Sequence, residues 1–133
     1  MAVFVDTSAF YALLDADDEN HSRSAETWRH IMASDEQHVV ATNYVLVETF
    51  ALIQSRLGLE AVREFQENMV SVLSVEFVTP EIHRLGIAAL LAASRRGLSL
   101  VDCISFQVMR DLGIKSVFTF DGHFQQYGFS PLP

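Results

Sequence analysis

Four of the 17 acidic residues differ from the others because their neighbours in sequence are mostly apolar. Asp6 and Asp121 each follow a short apolar run. Glu48 lies within a long apolar segment, and Asp102 lies in the stretch SLVDCISF. A carboxylate in apolar surroundings must be protonated, paired or bound to a cation. Carboxylates gathered without a cysteine or histidine partner favour Mg²⁺ or Mn²⁺, and such a site activates water and stabilises charge on a phosphodiester.

Each of these acids also has an ordinary structural interpretation. Asp6 is a good N-cap for a helix beginning at TSAF, and Asp121 opens a common Asp-Gly turn. Ser99 and Asp102 have the spacing of a capping box, and a helix N-terminus keeps the pKa of a carboxyl low, which also suits a metal ligand. Glu48 is the acid that most strongly indicates a functional site, because no lysine or arginine lies three or four residues away to pair with it. The alternative is a glutamate at the edge of the apolar helix face, with its carboxylate in solvent.

The elements that must position these acids alternate between strands and helices. The patterns predict strands over Ala2–Asp6, His38–Thr42, Val75–Val78 and Ser116–Phe120, and helices over Thr7–Asp15, His21–Ser34, Asn43–Gly58, Leu59–Leu73, Pro80–Arg96 and Leu100–Gly113, with a closing loop over 121–129. This order predicts an α/β fold, a parallel sheet sandwiched by helices, as one domain over residues 1–133. We expect Asp6, Asp102 and Asp121 at the same edge of that sheet.

Length and composition restrict the class of protein. A chain of 133 residues fits one domain, and a mean hydropathy of +0.21 indicates apolar surface at a subunit or partner interface. The net charge of −8 argues against non-specific nucleic-acid binding, but a local patch or a bound metal leaves RNA binding open. We expect a cytoplasmic protein without a membrane partner, because no segment is apolar enough to span a bilayer and no signal peptide is evident. The single cysteine, Cys103, excludes an internal disulfide.

Four motifs occur in sequence order over essentially the whole chain: VFVDTSAFYALLD, NYVLVETFALI, SLVDCISFQVMRDLGI and VFTFDGHFQQYGF. Together they resemble the PIN-domain ribonucleases, and most closely the VapC-like toxins of bacterial and archaeal toxin–antitoxin modules. The resemblance implies a parallel sheet flanked by helices and an acidic Mg²⁺ or Mn²⁺ site. The residues that match the family's four acids are Asp6, Glu48, Asp102 and Asp121, and Thr7 and Thr119 match its small hydroxyl residues near the site.

The same resemblance implies an activity and partners. Family members cut single-stranded regions of structured RNA, often tRNA or ribosomal RNA, and leave 5′-phosphate and 3′-hydroxyl ends. They commonly dimerise and are held inactive by a cognate antitoxin. We therefore expect a metal-dependent endoribonuclease that forms a homodimer and binds an antitoxin. Gly122 departs from the family, in which a basic residue is frequent at this position, so we expect no RNA contact there.

Three further features favour ordinary structure. The segment DADDENHSRSAE over 15–26 half-matches a calcium loop, but Asn20 replaces the glycine that the turn requires. His123 is predicted to be a surface histidine that at most touches substrate. Arg95 and Arg96 are predicted to be basic residues at a helix C-terminus rather than phosphate contacts.

Two other classes of protein compete with the nuclease. One is a PIN-like fold that only binds its partner, which the loss of an acid would indicate. The other, less favoured, is a receiver-type phosphoacceptor domain. That class needs a lysine at the end of a late strand, whereas the only lysine, Lys115, precedes its strand.

Overall fold

A parallel sheet of five strands forms the centre of the computed structural model, which describes residues 1–132. In chain order the strands are β1 (Ala2–Val5), β2 (His38–Thr42), β3 (Ser74–Glu76), β4 (Ser116–Phe118) and β5 (Ser130–Pro131). They lie in the order β3-β2-β1-β4-β5, so β1 is the central strand. Pro133, the last residue of the predicted domain, lies outside the described residues.

Seven α-helices within residues 1–132 flank this sheet. They are α1 (Thr7–Leu14), α2 (His21–Ala33), α3 (Asn43–Leu57), α4 (Leu59–Glu64), α5 (Pro80–Ala93), α6 (Leu100–Leu112) and α7 (His123–Gln126). The arrangement confirms the predicted α/β fold, with a parallel sheet and flanking helices in a single domain. None of the helices in the described part of the chain is long and apolar enough to cross a membrane.

The register of the sheet brings the ends of β1 and β4 together. Phe4 pairs with Val117, and Val5 pairs with Phe118. One step further on, the backbone N–H of Asp6 donates to the carbonyl of Phe118 at 3.1 Å. The residues that follow these two strands therefore share one carboxyl edge, which is where ligands bind in open parallel sheets.

Buried aromatic rings hold the short helix α7 against this part of the sheet. Phe124 of α7 is fully buried, and its ring centroid lies 5.0 Å from that of Phe106 and 6.5 Å from that of Phe4. Such aromatic pairs contribute about 0.5–1.5 kcal/mol each beyond the area that they bury. Phe124 therefore fixes the position of the residues just before it, Asp121 and His123.

Helix α6 is positioned by close contact with α5. Gly86 of α5 has no side chain, and a Cβ at this position would lie 2.4 Å from Cδ1 of Ile104 in α6. A larger residue at this position would require the Ile104 side chain to shift. The contact sets how closely α6 packs against α5. The first turn of α6 carries Asp102.

The largest differences from the sequence-based prediction lie near the C-terminus. The segment 121–129, predicted as a loop, contains α7, and β5 follows it where no strand was predicted. A helix of four residues is too short to show a 3.6-residue period, and it depends on the tertiary burial of Phe124. Strand β5 consists of Ser130 and Pro131 at the edge of the sheet, where proline is tolerated but no apolar run signals a strand.

Two predicted helices are also less regular than expected. The predicted helix Leu59–Leu73 is α-helical only in α4 and continues as a π-helical turn, Phe65–Met69, and a 3₁₀ turn, Val70–Val72. Helix α5 ends at Ala93, because Ser94 adopts a left-handed conformation with φ of 49°. Arg95 therefore lies after the end of α5, and the prediction that the helix continues through Arg95 is wrong.

Candidate metal centre

All four predicted acids line one open cleft of about 690 Å³ at the carboxyl edge of the sheet. Asp6 follows β1, Glu48 lies in α3, Asp102 lies in the first turn of α6, and Asp121 lies between β4 and α7. The structure thus brings together acids that are far apart in sequence. The remaining residues that line the cleft are Thr7, Ser8, Ala51, Leu52, Ser55, Gly97 and Ser99.

Asp6 is buried, with 4% of its surface exposed, and is the N-cap of α1. Its Oδ2 accepts hydrogen bonds from the Ser8 hydroxyl at 2.9 Å, the Thr119 hydroxyl at 3.1 Å and the Ser8 backbone N–H at 3.4 Å. Burial raises the pKa of Asp6 to about 6, with smaller upward effects from Asp102 and Asp121, although the two hydroxyl hydrogen bonds favour the ionised form. Asp6 is therefore both a helix cap and an acid in the cleft whose charged form is disfavoured by burial.

Ser8 connects the ends of β1 and β4, and no motif in the sequence selects it as a site residue. Besides donating to Asp6, its hydroxyl oxygen accepts the backbone N–H of Phe120 at 2.9 Å and lies 3.2 Å from the Thr119 hydroxyl. Its only signal in the sequence is its position two residues after an acid at a strand end. Thr119, which was predicted to lie near the site, also accepts the backbone N–H of Asp121 at 3.0 Å. These two hydroxyls link Asp6 to the segment that carries Asp121.

Thr7 also lines the cleft, but its hydroxyl bonds to α3. Its oxygen lies 3.4 Å from the carbonyl oxygen of Val45 and 3.1 Å from the hydroxyl oxygen of Thr49. The Thr49 hydroxyl donates to the same carbonyl at 2.7 Å. This buried network ties α1 to the helix that carries Glu48.

Asp102 forms a complete capping box with Ser99. The backbone N–H of Asp102 donates to the Ser99 hydroxyl at 3.1 Å, and the backbone N–H of Ser99 donates to Oδ2 of Asp102 at 3.2 Å. We predicted a low pKa for this carboxyl, and that prediction is wrong. Burial raises the pKa of Asp102 despite its hydrogen bonds with Ser99, and the nearby carboxylate of Asp121 raises it further.

Asp121 begins the turn into α7, and its Oδ1 accepts the backbone N–H of His123 at 2.9 Å. The side chain of His123 is only 21% exposed. Its Nδ1 lies 2.9 Å from Oδ1 of Asp121 and 3.7 Å from Oδ2 of Asp102. The prediction of a surface histidine is therefore wrong: His123 lies between two of the acids, because Phe124 holds α7 in place.

Glu48 is half-buried and borders two cavities. The second cavity, of about 330 Å³, is also lined by Asn43, Tyr44, Val47 and Val101. Glu48 and Asp6 line the cleft but are not part of the most compact group in the described residues. That group offers ligand atoms that all lie within 4.8 Å of one another, and it consists of Asp102, Asp121 and His123.

The donors in this cleft fit a divalent cation. Within residues 1–132, no arginine or lysine forms an ion pair with any of the four carboxylates. The acids also raise one another's pKa, as Asp102 and Asp121 do for Asp6. A cation relieves this repulsion, and carboxylate oxygens are the ligands that Mg²⁺ and Mn²⁺ prefer.

Comparison with known proteins agrees with this fold. The model of the PIN domain family matches residues 3–130, so the chain belongs to the PIN-domain family. The chain is also 37% identical to the 23S rRNA-specific endonuclease VapC20 of Mycobacterium tuberculosis, in both strain CDC 1551 and strain H37Rv. That similarity extends over 128 residues, which cover 96% of this chain and 95% of the relative. The resemblance to VapC-like toxins that the motifs indicated is therefore confirmed.

Solved structures give the same result. The crystal structure of Mycobacterium tuberculosis VapC20, described as a sarcin-ricin loop cleaving toxin, superposes with a TM-score of 0.83 at 36% identity and covers 96% of this chain and 95% of its own. PAE2754 from Pyrobaculum aerophilum superposes with a TM-score of 0.64 at 18% identity, over 98% of this chain and 89% of its own. The second similarity supports the fold alone.

Proposed function

We propose that this protein is an endoribonuclease that depends on Mg²⁺ or Mn²⁺, and that it is the toxin of a toxin–antitoxin pair. The observation that carries the proposal is the convergence of four carboxylates on one open cleft, with no arginine or lysine paired to them among the described residues. The similarity to VapC20, whose name describes a 23S rRNA endonuclease, supports ribosomal RNA as the first substrate to test, ahead of tRNA.

The proposed ligands of the cation are Asp6, Glu48, Asp102 and Asp121. When bound, such a cation lowers the pKa of water and offsets negative charge on a phosphodiester. Hydrogen bonds within the protein orient carboxylates for this role. Ser8 and Thr119 hold Asp6 through Oδ2, and this leaves Oδ1 for a ligand.

Two of the other acids, Asp102 and Asp121, are also held by hydrogen bonds. The Ser99 backbone N–H binds Asp102, and the His123 backbone N–H binds Asp121. Hydrogen bonds of this kind orient metal ligands and are typically worth 10- to 100-fold in metal affinity or activity. Asp6, Asp102 and Asp121 are therefore oriented by the fold before substrate arrives.

We also propose a homodimer and a cognate antitoxin as partners. Large apolar side chains on the surface support an interface, among them Val47, Phe77 and Leu91, each more than 60% exposed. Light scattering on the purified chain should give twice the monomer mass of 14.9 kDa. A monomeric mass at micromolar concentration would contradict the dimer.

The activity is tested on purified protein free of any bound partner. We would incubate it with total cellular RNA and with isolated ribosomal RNA, adding Mg²⁺ or Mn²⁺, with EDTA as the metal-free control. We expect discrete cuts that require the metal and carry 5′-phosphate and 3′-hydroxyl ends. Glu48→Gln should lower the cleavage rate by at least about a hundredfold, because it removes a charged ligand without changing the size of the side chain.

Glu64→Gln is the matched control, because Glu64 is exposed on α4 and lies outside the cleft. It should cut RNA at the wild-type rate. Cleavage by Glu48→Gln at that same rate would contradict the site assignment. Absence of cleavage with either metal and either RNA would contradict the nuclease and favour a PIN-like module that only binds.

A further inference from the structure

His123 places a nitrogen atom inside the acidic cleft. Its Nδ1 is buried, and among residues 1–132 it has no hydrogen-bond partner. Asp121 Oδ1 lies 2.9 Å away, but the two atoms are not aligned for a hydrogen bond, and this oxygen already accepts the backbone N–H of His123. A buried nitrogen without a hydrogen-bond partner destabilises the folded protein, so the position requires an explanation.

The spacing around this nitrogen matches that of ligands around one cation. Neighbouring ligands of an octahedral ion with bonds of about 2.1 Å lie about 3.0 Å apart, and opposite ligands about 4.2 Å apart. Nδ1 of His123 lies 2.9 Å from Asp121 Oδ1 and 3.7 Å from Asp102 Oδ2. Ligand atoms of all three residues lie within 4.8 Å of one another. One ion can therefore contact all three side chains.

The imidazole is held in this place by the fold. Phe124, the next residue, is fully buried, and the backbone N–H of His123 is bound to Asp121. On its other side the ring faces Gly97, where a Cβ, if present, would lie 3.9 Å from Cε1 and Nε2. The backbone of His123 is therefore anchored beside the carboxylates, and Nδ1 faces both Asp102 and Asp121.

We propose that Nδ1 of His123 is a direct ligand of the divalent cation, together with Asp102 and Asp121, and that this nitrogen makes the site prefer Mn²⁺ to Mg²⁺. The inference rests on the proposed nuclease site, which by itself requires only carboxylates. Imidazole suits transition metals, whereas Mg²⁺ takes oxygen ligands. Mn²⁺ accepts both kinds of donor, and a mixed set therefore favours it over Mg²⁺.

The direct test is pulsed electron paramagnetic resonance of the Mn²⁺-loaded protein without RNA. A coordinated imidazole nitrogen couples to the electron spin of Mn²⁺ and modulates the echo at nitrogen-14 frequencies. We expect this modulation in the wild-type protein. Protein labelled with nitrogen-15 histidine should show the nitrogen-15 pattern instead, and this comparison needs no substitution that could disturb folding.

The residue is assigned with matched variants. His123→Gln should abolish the nitrogen modulation, whereas His30→Gln, which changes an exposed histidine on α2, should leave it intact. Calorimetric titration should show the ratio of Mn²⁺ to Mg²⁺ affinity falling about tenfold in His123→Gln and unchanged in His30→Gln.

The outcomes separate this inference from the proposed function. If Mn²⁺ binds without nitrogen modulation, or if the modulation survives in His123→Gln, the ligand role is wrong while the carboxylate site stands. If neither metal binds, both the ligand role and the proposed metal site are wrong. Loss of the modulation in His123→Gln alone, with the metal still bound, supports the proposal.

Discussion

At the scale of single residues, Asp6 is subject to two opposing effects. Asp6 caps α1 and accepts two hydroxyl hydrogen bonds, and both contacts favour a carboxylate. Burial of the same side chain disfavours its charge and raises its pKa to about 6. The metal-free protein therefore carries a destabilising group at neutral pH, as functional sites often do.

This conflict predicts a pH-dependent stability effect of Asp6→Asn. Because the pKa of Asp6 is raised to about 6 from its ordinary 3.8, the folded protein keeps a proton that the unfolded chain loses between these values. Asp6 therefore lowers the free energy of unfolding as pH rises from about 4 to about 6, and asparagine does not. We expect Asp6→Asn to gain about 2 kcal/mol relative to wild type between pH values of about 4 and 7.5, as measured by urea denaturation in EDTA.

Asp35→Asn provides the control for this measurement, because Asp35 is exposed and lies away from the cleft. Its stability difference from wild type should stay constant between the two pH values. If the difference for Asp6→Asn also stayed constant, Asp6 would titrate normally in the folded protein and the burial argument would fail.

Whether a site residue can be predicted from the sequence depends on whether its neighbours in sequence indicate its role. The four acids were found because an acid among apolar neighbours is visible in a short stretch of sequence. Ser8 was missed because its partner Thr119 is 111 residues away, and a serine after an acid has many ordinary uses. His123 was misplaced because its burial depends on Phe124, whose core position has no periodic pattern around it.

At the scale of elements, those with a local signal in the sequence were predictable, and those that depend on tertiary contacts were not. Strand β2 lies over His38–Thr42 as predicted, and α6 ends at Leu112, next to the glycine that was expected to close it. Capping residues and runs of apolar residues carry these signals locally. Helix α7 and strand β5 instead depend on tertiary contacts, and α7 carries His123, which lies next to Asp121.

The capping box of α6 predicts an effect on activity beyond that on stability. Ser99→Ala removes the hydroxyl that accepts the Asp102 N–H, and we expect a loss of about 1 kcal/mol in the free energy of unfolding. Because Asp102 is then less firmly oriented, metal-dependent RNA cleavage should fall by about tenfold. Urea denaturation and initial cleavage rates measure the two effects separately.

Thr79→Ala is the matched variant for this comparison. Thr79 caps α5 in the same way, accepting the Ile82 N–H at 3.2 Å, and it does not line the cleft. The Thr79→Ala variant should lose a similar free energy of unfolding and cut RNA within about twofold of the wild-type rate. Equal activity of the two variants would show that the cap at Ser99 acts on the helix alone.

At the scale of the whole molecule, a net charge of −8 must be reconciled with a polyanionic substrate. Two arginines stand beside the acidic cleft. The guanidinium of Arg23 lies 5.5 Å from the ring centre of Phe120, next to Asp121. Arg95 donates to Gln126 at 2.9 Å and lies two residues before Gly97, which lines the cleft. Aromatic and amide contacts thus hold positive charge near the site, and both arginines remain exposed.

Arg23→Ala and Arg95→Ala are therefore expected to weaken RNA binding more than their change in net charge explains. In a Glu48→Gln background with Mn²⁺, each should weaken RNA affinity several-fold and lower the slope of log affinity against log salt concentration by about 1, the value for one lost phosphate contact. Arg63→Ala removes the same unit of charge from α4, where Arg63 faces Glu60 across 4.0 Å, so it should leave the slope unchanged. Fluorescence anisotropy over a range of salt concentrations measures all three variants. Equal shifts in affinity for all three variants would show that RNA binding responds only to net charge. A change of slope in Arg23→Ala and Arg95→Ala alone would show that the negatively charged protein binds RNA through two arginines near the acidic cleft.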